Sequence, residues 1–437
     1  MYLNNRLFFI LLGNVLFLIT AFAIPFLLPP AKVSVLVTLG LVGLDVLLLY
    51  VSNGKIVGKR KTGEKLSNGD DNMIHIELKS SFSTPMYVKI IDELPEQLQR
   101  RDFKIFDTLY PKESKKITYT IRPTKRGEYE FGRLNIFVSS LLGLVARRFI
   151  FSENVSVPVY PAFLQLRKYE LLAISNRLSE LGIKKIRRIG NNREFEQIKE
   201  YVQGDDMRTI NWKATARRNN LMVNHYQDER SQHIYSIIDK GRTMKMPFEG
   251  LSLLDYAINS ALVISKIALL KDDKAGLITF GHKIDSLVTP NKDFMQMNKI
   301  LEALYKQKTA YKEANFEKLY ITIKHQIKQR SLILLYTNFE SLSSMQRQLS
   351  FLRKIAANHV LVIIFFYNTE LDNIIDSQAE TTEDVYNQTI AEKLAFEKKL
   401  IVKELQKHGI QVVLTKPQNL TVNTINKYLE IKAKAMI

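Results

Sequence analysis

Two apolar runs within the first 51 residues limit what this chain can become more than any other feature. Leu7 to Leu28 holds about 22 residues broken in character only by Asn14, Thr20 and Pro25, and as a helix it reaches roughly 33 Å. That is enough to cross a bilayer core. Pro29-Pro30-Ala31-Lys32 reads as a helix break, and Val33 to Val51 offers a second span of about 19 residues, roughly 28 Å long. Asp45 within it costs about 2.5 to 3.5 kcal/mol near the membrane centre, which the Leu and Val around it, at about 0.3 to 0.6 kcal/mol each, outweigh. The competing reading is a cleaved signal peptide, with Leu7 to Ile19 as its apolar region and Ala21-Phe22-Ala23 as its cleavage site.

Orientation follows from the flanks. Lys55, Lys59, Arg60, Lys61 and Lys65 crowd the exit of the second span, whereas the loop between the spans carries Lys32 alone. The excess of positive charge predicts a multi-pass membrane protein whose body lies in the cytoplasm. The whole chain has 63 Lys and Arg against 44 Asp and Glu, a net charge of +19, which suits an anionic lipid surface as well as nucleic acid. It has no Cys, which excludes disulfides, thiolate metal sites and Cys nucleophiles.

The 437 residues divide by pattern. Residues 1–53 hold the two spans, and 54–71, polar, basic and Gly-bearing, read as a juxtamembrane linker. Over 72–160 the period changes to two: Met73 to Leu78, Met86 to Ile91, Lys116 to Ile121, Gly127 to Val138 and Phe149 to Val157 predict a small all-β antiparallel sandwich. Residues 161–232 begin with helical periodicity at Leu164 to Leu181 and continue into the basic stretch Lys184-Lys185-Ile186-Arg187-Arg188. From 233 to 437 apolar strands alternate with helices, which predicts a parallel, doubly wound α/β sheet covered on both faces.

The run from Arg193 to Tyr226 is the one segment with the density of a signature. It contains the only Trp of the chain, a Gly-Asp-Asp turn and several Arg and Lys. Glu194, Phe195, Tyr201, Gly204, Asp205, Asp206, Arg208, Trp212, Ala214, Thr215, Ala216 and Arg217 stand in an order that resembles the hallmark of the bacterial family called domain of unknown function 58. Arg126 to Gly132 and Leu141 to Leu144 are similar to the same family's pattern ahead of that hallmark. The resemblance implies a protein anchored in the cytoplasmic (inner) membrane, with a von Willebrand factor A-like α/β domain. It also implies association with a MoxR-type AAA+ ATPase in complex or metalloprotein maturation or envelope stress.

Read for chemistry, Asp205 and Asp206 diverge in direction on most backbones, so the pair fits a turn better than an acid/base site. An Asp there can cap the short helix that follows, with Arg208 or Arg217 neutralising the pair. Trp212 reads equally as a binding hot spot or as a packing anchor. The first α/β strand ends in Asp239-Lys240-Gly241-Arg242-Thr243, which resembles the metal-binding opening of von Willebrand factor A-type domains. Asp239 and Thr243 match that pattern, Gly241 replaces a hydroxyl, and Asn338 stands where a second carboxylate belongs. Thr309 is a candidate for the hydroxyl of the second loop. With so few oxygen ligands, and with Lys240 and Arg242 alongside, a divalent cation is disfavoured and no cofactor is expected.

The chain has no Gly-x-Ser-x-Gly elbow, His-Glu-x-x-His, Walker Gly-Lys-Ser/Thr or Gly-x-Gly-x-x-Gly motif. The expectation is an adaptor rather than an enzyme. An enzyme with a site at Asp205, Asp206 and Arg208 is the first alternative. Nucleic-acid or anionic-lipid binding through basic patches is the second, and nucleic acid is disfavoured because the Lys184 to Arg193 stretch lacks interleaved aromatics.

Overall fold

The computed structural model describes residues 1–51, 54–151, 154–174, 194–203, 205, 207–218, 220–227, 231–434 and 436. The chain forms two compact units, residues Met1–Ala162 and Phe163–Ile437.

The first unit opens with two helices, Asn5–Ala23 and Leu28–Val46, the latter continuing through a π-helical turn to Val51. Both are long and apolar enough to cross a membrane. The expected break at Pro29 and Pro30 is displaced. These prolines occupy the first turn of the second helix, where a missing N–H costs nothing, and the chain bends instead at Ile24–Leu27. Asn14 joins the two helices by donating to Thr38 Oγ1 at 2.8 Å and accepting from Ser34 Oγ at 2.6 Å. A polar side chain amid apolar helices is thereby satisfied between them.

The β part of this unit has a five-stranded sheet and two three-stranded sheets around one core that includes Ile74, Ile76, Leu78, Phe131, Ile136 and Val138. Residues 54–71 are not a linker. Ile56–Lys61 is a strand paired with Asn72–Ser80, and Leu66–Ser67 pairs in parallel with Val155–Tyr160. Its alternation hides behind exposed Lys and Lys59-Arg60-Lys61, and Arg60 itself is buried, bonded to Asp92 Oδ1 at 2.5 Å. Two runs expected as single strands are each two strands that pass from one sheet to another: Gly127–Phe131 pairs with Val155–Tyr160, and Leu134–Ser139 pairs with Val145–Phe151.

Asp45 is buried at the end of the second helix. Its Oδ2 accepts from Leu144 N and Val145 N at 2.8 Å each, and Oδ1 accepts from the Ser140 hydroxyl. The expected cost of an acid in lipid therefore does not arise: these three donors come from the β part of the unit.

The second unit is built on a six-stranded sheet in the order Ile284–Asn291, Lys274–Phe280, His233–Asp239, Leu332–Tyr336, Val360–Phe366, Gln411–Thr415. All neighbours are parallel except the first pair, an antiparallel edge. The central strands read as unbroken apolar runs because both faces are covered. Ile234, Ile238, Leu334 and Tyr336 pack against the helices Leu253–Leu270, Gln296–Tyr305 and Leu420–Ala433. Tyr235, Ile237, Ile333 and Leu335 face the helices Phe316–Gln326, Leu342–Asn358 and Thr382–Lys407. Ser252 with Asp255, and Thr381 with Asp384, form capping boxes that fix two of these helix starts. The Leu253–Leu270 helix is apolar enough to span a membrane but lies largely buried in this core.

Candidate functional site

Strand order in the second unit reverses beside His233–Asp239, whose neighbours are Lys274–Phe280 on one side and Leu332–Tyr336 on the other. The carboxyl ends of strands at such a switch point form the crevice where α/β sheets bind ligands. Asp239 and Thr337 stand there. A cleft of about 120 Å3 is lined by Asp239, Thr243, Glu313, Thr337, Asn338 and Ser341 among others.

Both oxygens of Asp239 are engaged by the protein around it. Its Oδ1 accepts from Gly241 N and its Oδ2 from Thr337 Oγ1, both at 2.7 Å. Burial pushes its carboxyl up to about 6, although both of those donors pull the other way. Asn338 Oδ1 accepts from Lys398 Nζ at 2.9 Å. Thr243 lines the cleft in a short turn, Arg242–Lys245. The loop carrying Thr309 approaches through Ala310 N, which donates to Lys240 O at 2.7 Å, but Thr309 is not among the cleft's lining residues. The two cations expected to repel a metal are paired: Lys240 with Asp285 at 2.7 Å and Arg242 with Glu340 at 3.4 Å. Among the described residues no group of three His, Asp or Glu is placed to hold a metal ion.

Gly241 is favoured by space rather than by backbone angle. A Cβ there would lie 3.0 Å from Asp239 Oδ1 and 3.1 Å from Ala314 N. Thr337, which sequence reasoning passed over in favour of Asn338, is the hydroxyl that Asp239 uses. The signal available was its position as the last residue of an apolar run ending beside Asp239.

The signature segment forms a separate feature. Its strands Glu194–Glu200 and Met222–Gln227 pair antiparallel, with Ile210 bridging to Val223. Between them lies the helix Trp212–Arg218. Asn211, not an Asp, caps that helix: its Oδ1 accepts from Ala214 N at 3.0 Å. Its Nδ2 donates to Asn224 Oδ1 at 2.8 Å, and Thr215 Oγ1 accepts from Met222 N at 3.0 Å, fastening the helix to the second strand. Asp205 holds the turn by accepting from Val202 N at 3.1 Å and from Lys199 Nζ at 3.0 Å. Lys199 is thus a cation in contact with Asp205. Gly204 and Asp206 lie outside the described residues, as do the side chains of Glu194, Phe195 and Arg208 and the basic stretch 184–193.

Trp212 is 70% exposed, Met207 72% and Val202 63%. The packing-anchor reading of Trp212 is thereby corrected: the helix is held by Asn211 and Thr215, and the indole is left outside. A shallow groove beside it is lined by Ile198, Lys213, Arg217, Arg218 and Met222 among others. Arg217 and Arg218 also sit in the last turn of their helix, where its dipole favours cations. Tyr201 joins the framework through its N–H, which donates to Leu221 O at 2.8 Å, and Ala216 is exposed.

Residues 197–375 match the family described as Protein of unknown function DUF58. Over 202 residues, 44% of this chain, the sequence is 26% identical to the uncharacterized protein YeaD of Bacillus subtilis (strain 168). The chain spans about half the length of that curated relative, 50%. Both findings support the DUF58 family for this part of the chain. Among solved structures, the conserved hypothetical protein BatB from Bacteroides thetaiotaomicron is similar at a TM-score of 0.29 and 11% identity, over 47% of this chain and 100% of that one. Native alpha-2-macroglobulin from Escherichia coli is similar at 0.22 and 14%, over 25% of this chain and 17% of that one. Likenesses at these scores carry no argument about this protein.

Proposed function

We propose that the protein is a membrane-anchored adaptor of the DUF58 family that captures a partner through its signature hairpin. The observation that carries this reading is the exposure of Trp212, Met207 and Val202 on a segment whose polar framework is satisfied internally. Trp and Arg dominate the energetics of protein interfaces, and Arg217 and Arg218 stand on the same short helix as Trp212. The partner implied by the resemblance is a MoxR-type AAA+ ATPase. The α/β unit is read as von Willebrand factor A-like, with support from its strand order and from Asp239 and Thr337 at the switch point. Orientation with the body in the cytoplasm draws support from Lys55, Lys59, Lys61 and Lys65 after the second helix.

A second reading, contact of the hairpin with anionic lipid, is favoured by Lys213, Arg217 and Arg218 around an exposed Trp. The deciding experiment is co-purification of the ATPase from solubilised membranes with wild type and Trp212→Ala. The adaptor reading expects loss of the ATPase, at a cost of about 2 kcal/mol or more, with the melting temperature unchanged. ATPase recovery unaffected by the substitution, together with weakened binding to anionic but not neutral vesicles, would select the lipid reading.

A further inference from the structure

A second cavity opens at the carboxyl ends of the strands Leu332–Tyr336, Val360–Phe366 and Gln411–Thr415, on the far side of Asn338 from Asp239. Its volume is about 250 Å3, and its walls are mostly apolar. Phe248, Leu253 and Phe366 are buried side chains of its wall, and Leu371 and Leu394 are more exposed. Leu394 lies one helical turn before Lys398 on Thr382–Lys407, so the two share a face.

Lys398 is the unusual member of this lining. Its Nζ donates to Asn338 Oδ1 at 2.9 Å and to the Phe339 carbonyl. An ammonium has three donors, so one N–H is left without a hydrogen-bond acceptor among the described residues, and Nζ lies 5.7 Å from the Phe365 ring centroid. Glu340 and Glu397 act on it only at a distance, and Glu340, on the same rim, pairs with Arg242 at 3.4 Å. Burial holds the ammonium down to about 8, so at neutral pH it is a charged group in apolar surroundings without a counter-ion in contact. Apolar walls with one convergent charged donor are the ordinary form of a small-molecule site, and this volume is below the roughly 300–1,000 Å3 of drug-sized pockets.

We propose that this cavity binds a small apolar monocarboxylate, its body against Phe248, Leu253, Phe366, Leu371 and Leu394 and its carboxylate on Lys398. The aliphatic or aromatic part takes the place of water on the walls, and the carboxylate accepts the N–H that the protein leaves over. The bond is charge-assisted and partly desolvated, so it discriminates strongly against a neutral head group. The site is independent of the signature hairpin and of the adaptor reading.

The test uses the full-length chain in lipid nanodiscs, titrated by calorimetry with 4-phenylbutyrate and separately with its uncharged amide. Empty nanodiscs give the blank for partitioning into lipid. The expected result is saturable binding of the acid, with the amide weaker by about ten-fold or more. Lys398→Met abolishes that preference, and Leu371→Trp, which fills the cavity while keeping the ammonium, abolishes acid binding. Melting temperatures are recorded for both variants. Should Lys398→Met fail to fold, Leu371→Trp and the acid-to-amide ratio decide. Equal affinity for acid and amide, acid binding unchanged in a folded variant, or no saturable binding above the blank would overturn the proposal.

Discussion

The Thr337 hydroxyl donates to Asp239 Oδ2 at 2.7 Å across 98 positions of sequence. It ties together the ends of two adjacent parallel strands where the sheet changes direction. Gly241 N holds the other oxygen at the same distance, so Asp239 joins these two strand ends to the loop that follows the first.

That joint gives stability a pH dependence. Burial places the Asp239 carboxyl at about 6 in the folded chain against 3.8 ordinarily. As pH rises, the unfolded form ionises first and the folded form only near 6, so the stability present at low pH is lost between about 4 and 6. Asp239→Asn keeps the shape while removing the ionisation: its Oδ1 can still accept from Gly241 N, and its Nδ2 can donate to a rotated Thr337 hydroxyl. The wild-type minus variant difference in unfolding free energy is expected to rise by up to about 3 kcal/mol as pH falls from 7 to 4. Parallel pH profiles for the two proteins would show that Asp239 does not titrate in this range.

Divalent metal is expected to leave the protein's melting temperature unchanged. Mg2+ or Mn2+ at 100 times a dissociation constant would add about 2.7 kcal/mol, a shift easily seen. A shift that disappears in Asp239→Ala would mean that the cleft takes a cation despite Gly241 and the engaged oxygens of Asp239 and Asn338.

In the first unit, Arg60 and Asp92 form a buried ion pair at 2.5 Å, and Tyr119 donates to the second carboxylate oxygen. Arg60→Leu strands the acid in the core and is expected to cost about 3 to 5 kcal/mol in urea unfolding. The double substitution Arg60→Leu with Asp92→Leu should recover much of that loss. No recovery would mean that packing of the arginine stem, not the charge left behind, dominates.

Asp45→Leu sets two arguments against each other. It raises the hydropathy of the second helix, yet it removes the acceptor for Leu144 N, Val145 N and the Ser140 hydroxyl. Each buried donor left unsatisfied costs about 1 to 3 kcal/mol. The substitution is expected to speed proteolysis between Ser139 and Phe151 without reducing membrane insertion. Unchanged protease resistance would indicate that the loop finds other acceptors.

What could be read in advance follows from how each segment is buried. Ile234 to Ile238, Leu332 to Tyr336 and Val360 to Phe366 were legible because strands covered on both faces are apolar throughout. The edge strand Ile284–Asn291 was missed because its polar residues alternate with half-buried ones and it contains Pro290, which an edge tolerates. Ile56–Lys61 was misread because a buried, ion-paired Arg60 looks in sequence like one more solvated cation. The site was legible at Asp239 and only partly elsewhere. Asn211 as cap was a local signal, an Asn directly before Trp212–Arg218, that the attention to Asp205 and Asp206 passed over, whereas Lys398 reaching Asn338 from 60 positions away is a matter of tertiary placement that no local spacing encodes.

Val145 is a meeting point. Leu3 of the short strand Tyr2–Leu3 pairs with it, and its N–H is bonded by Asp45 at the far end of the helical hairpin. Both legs of the hairpin are thus clamped to one strand of the β fold instead of ending in a swivel. A tether dissipates a pull, whereas a clamp transmits it: tilting the β fold must twist the helices with it, so strain applied to the one is carried as torque into the other.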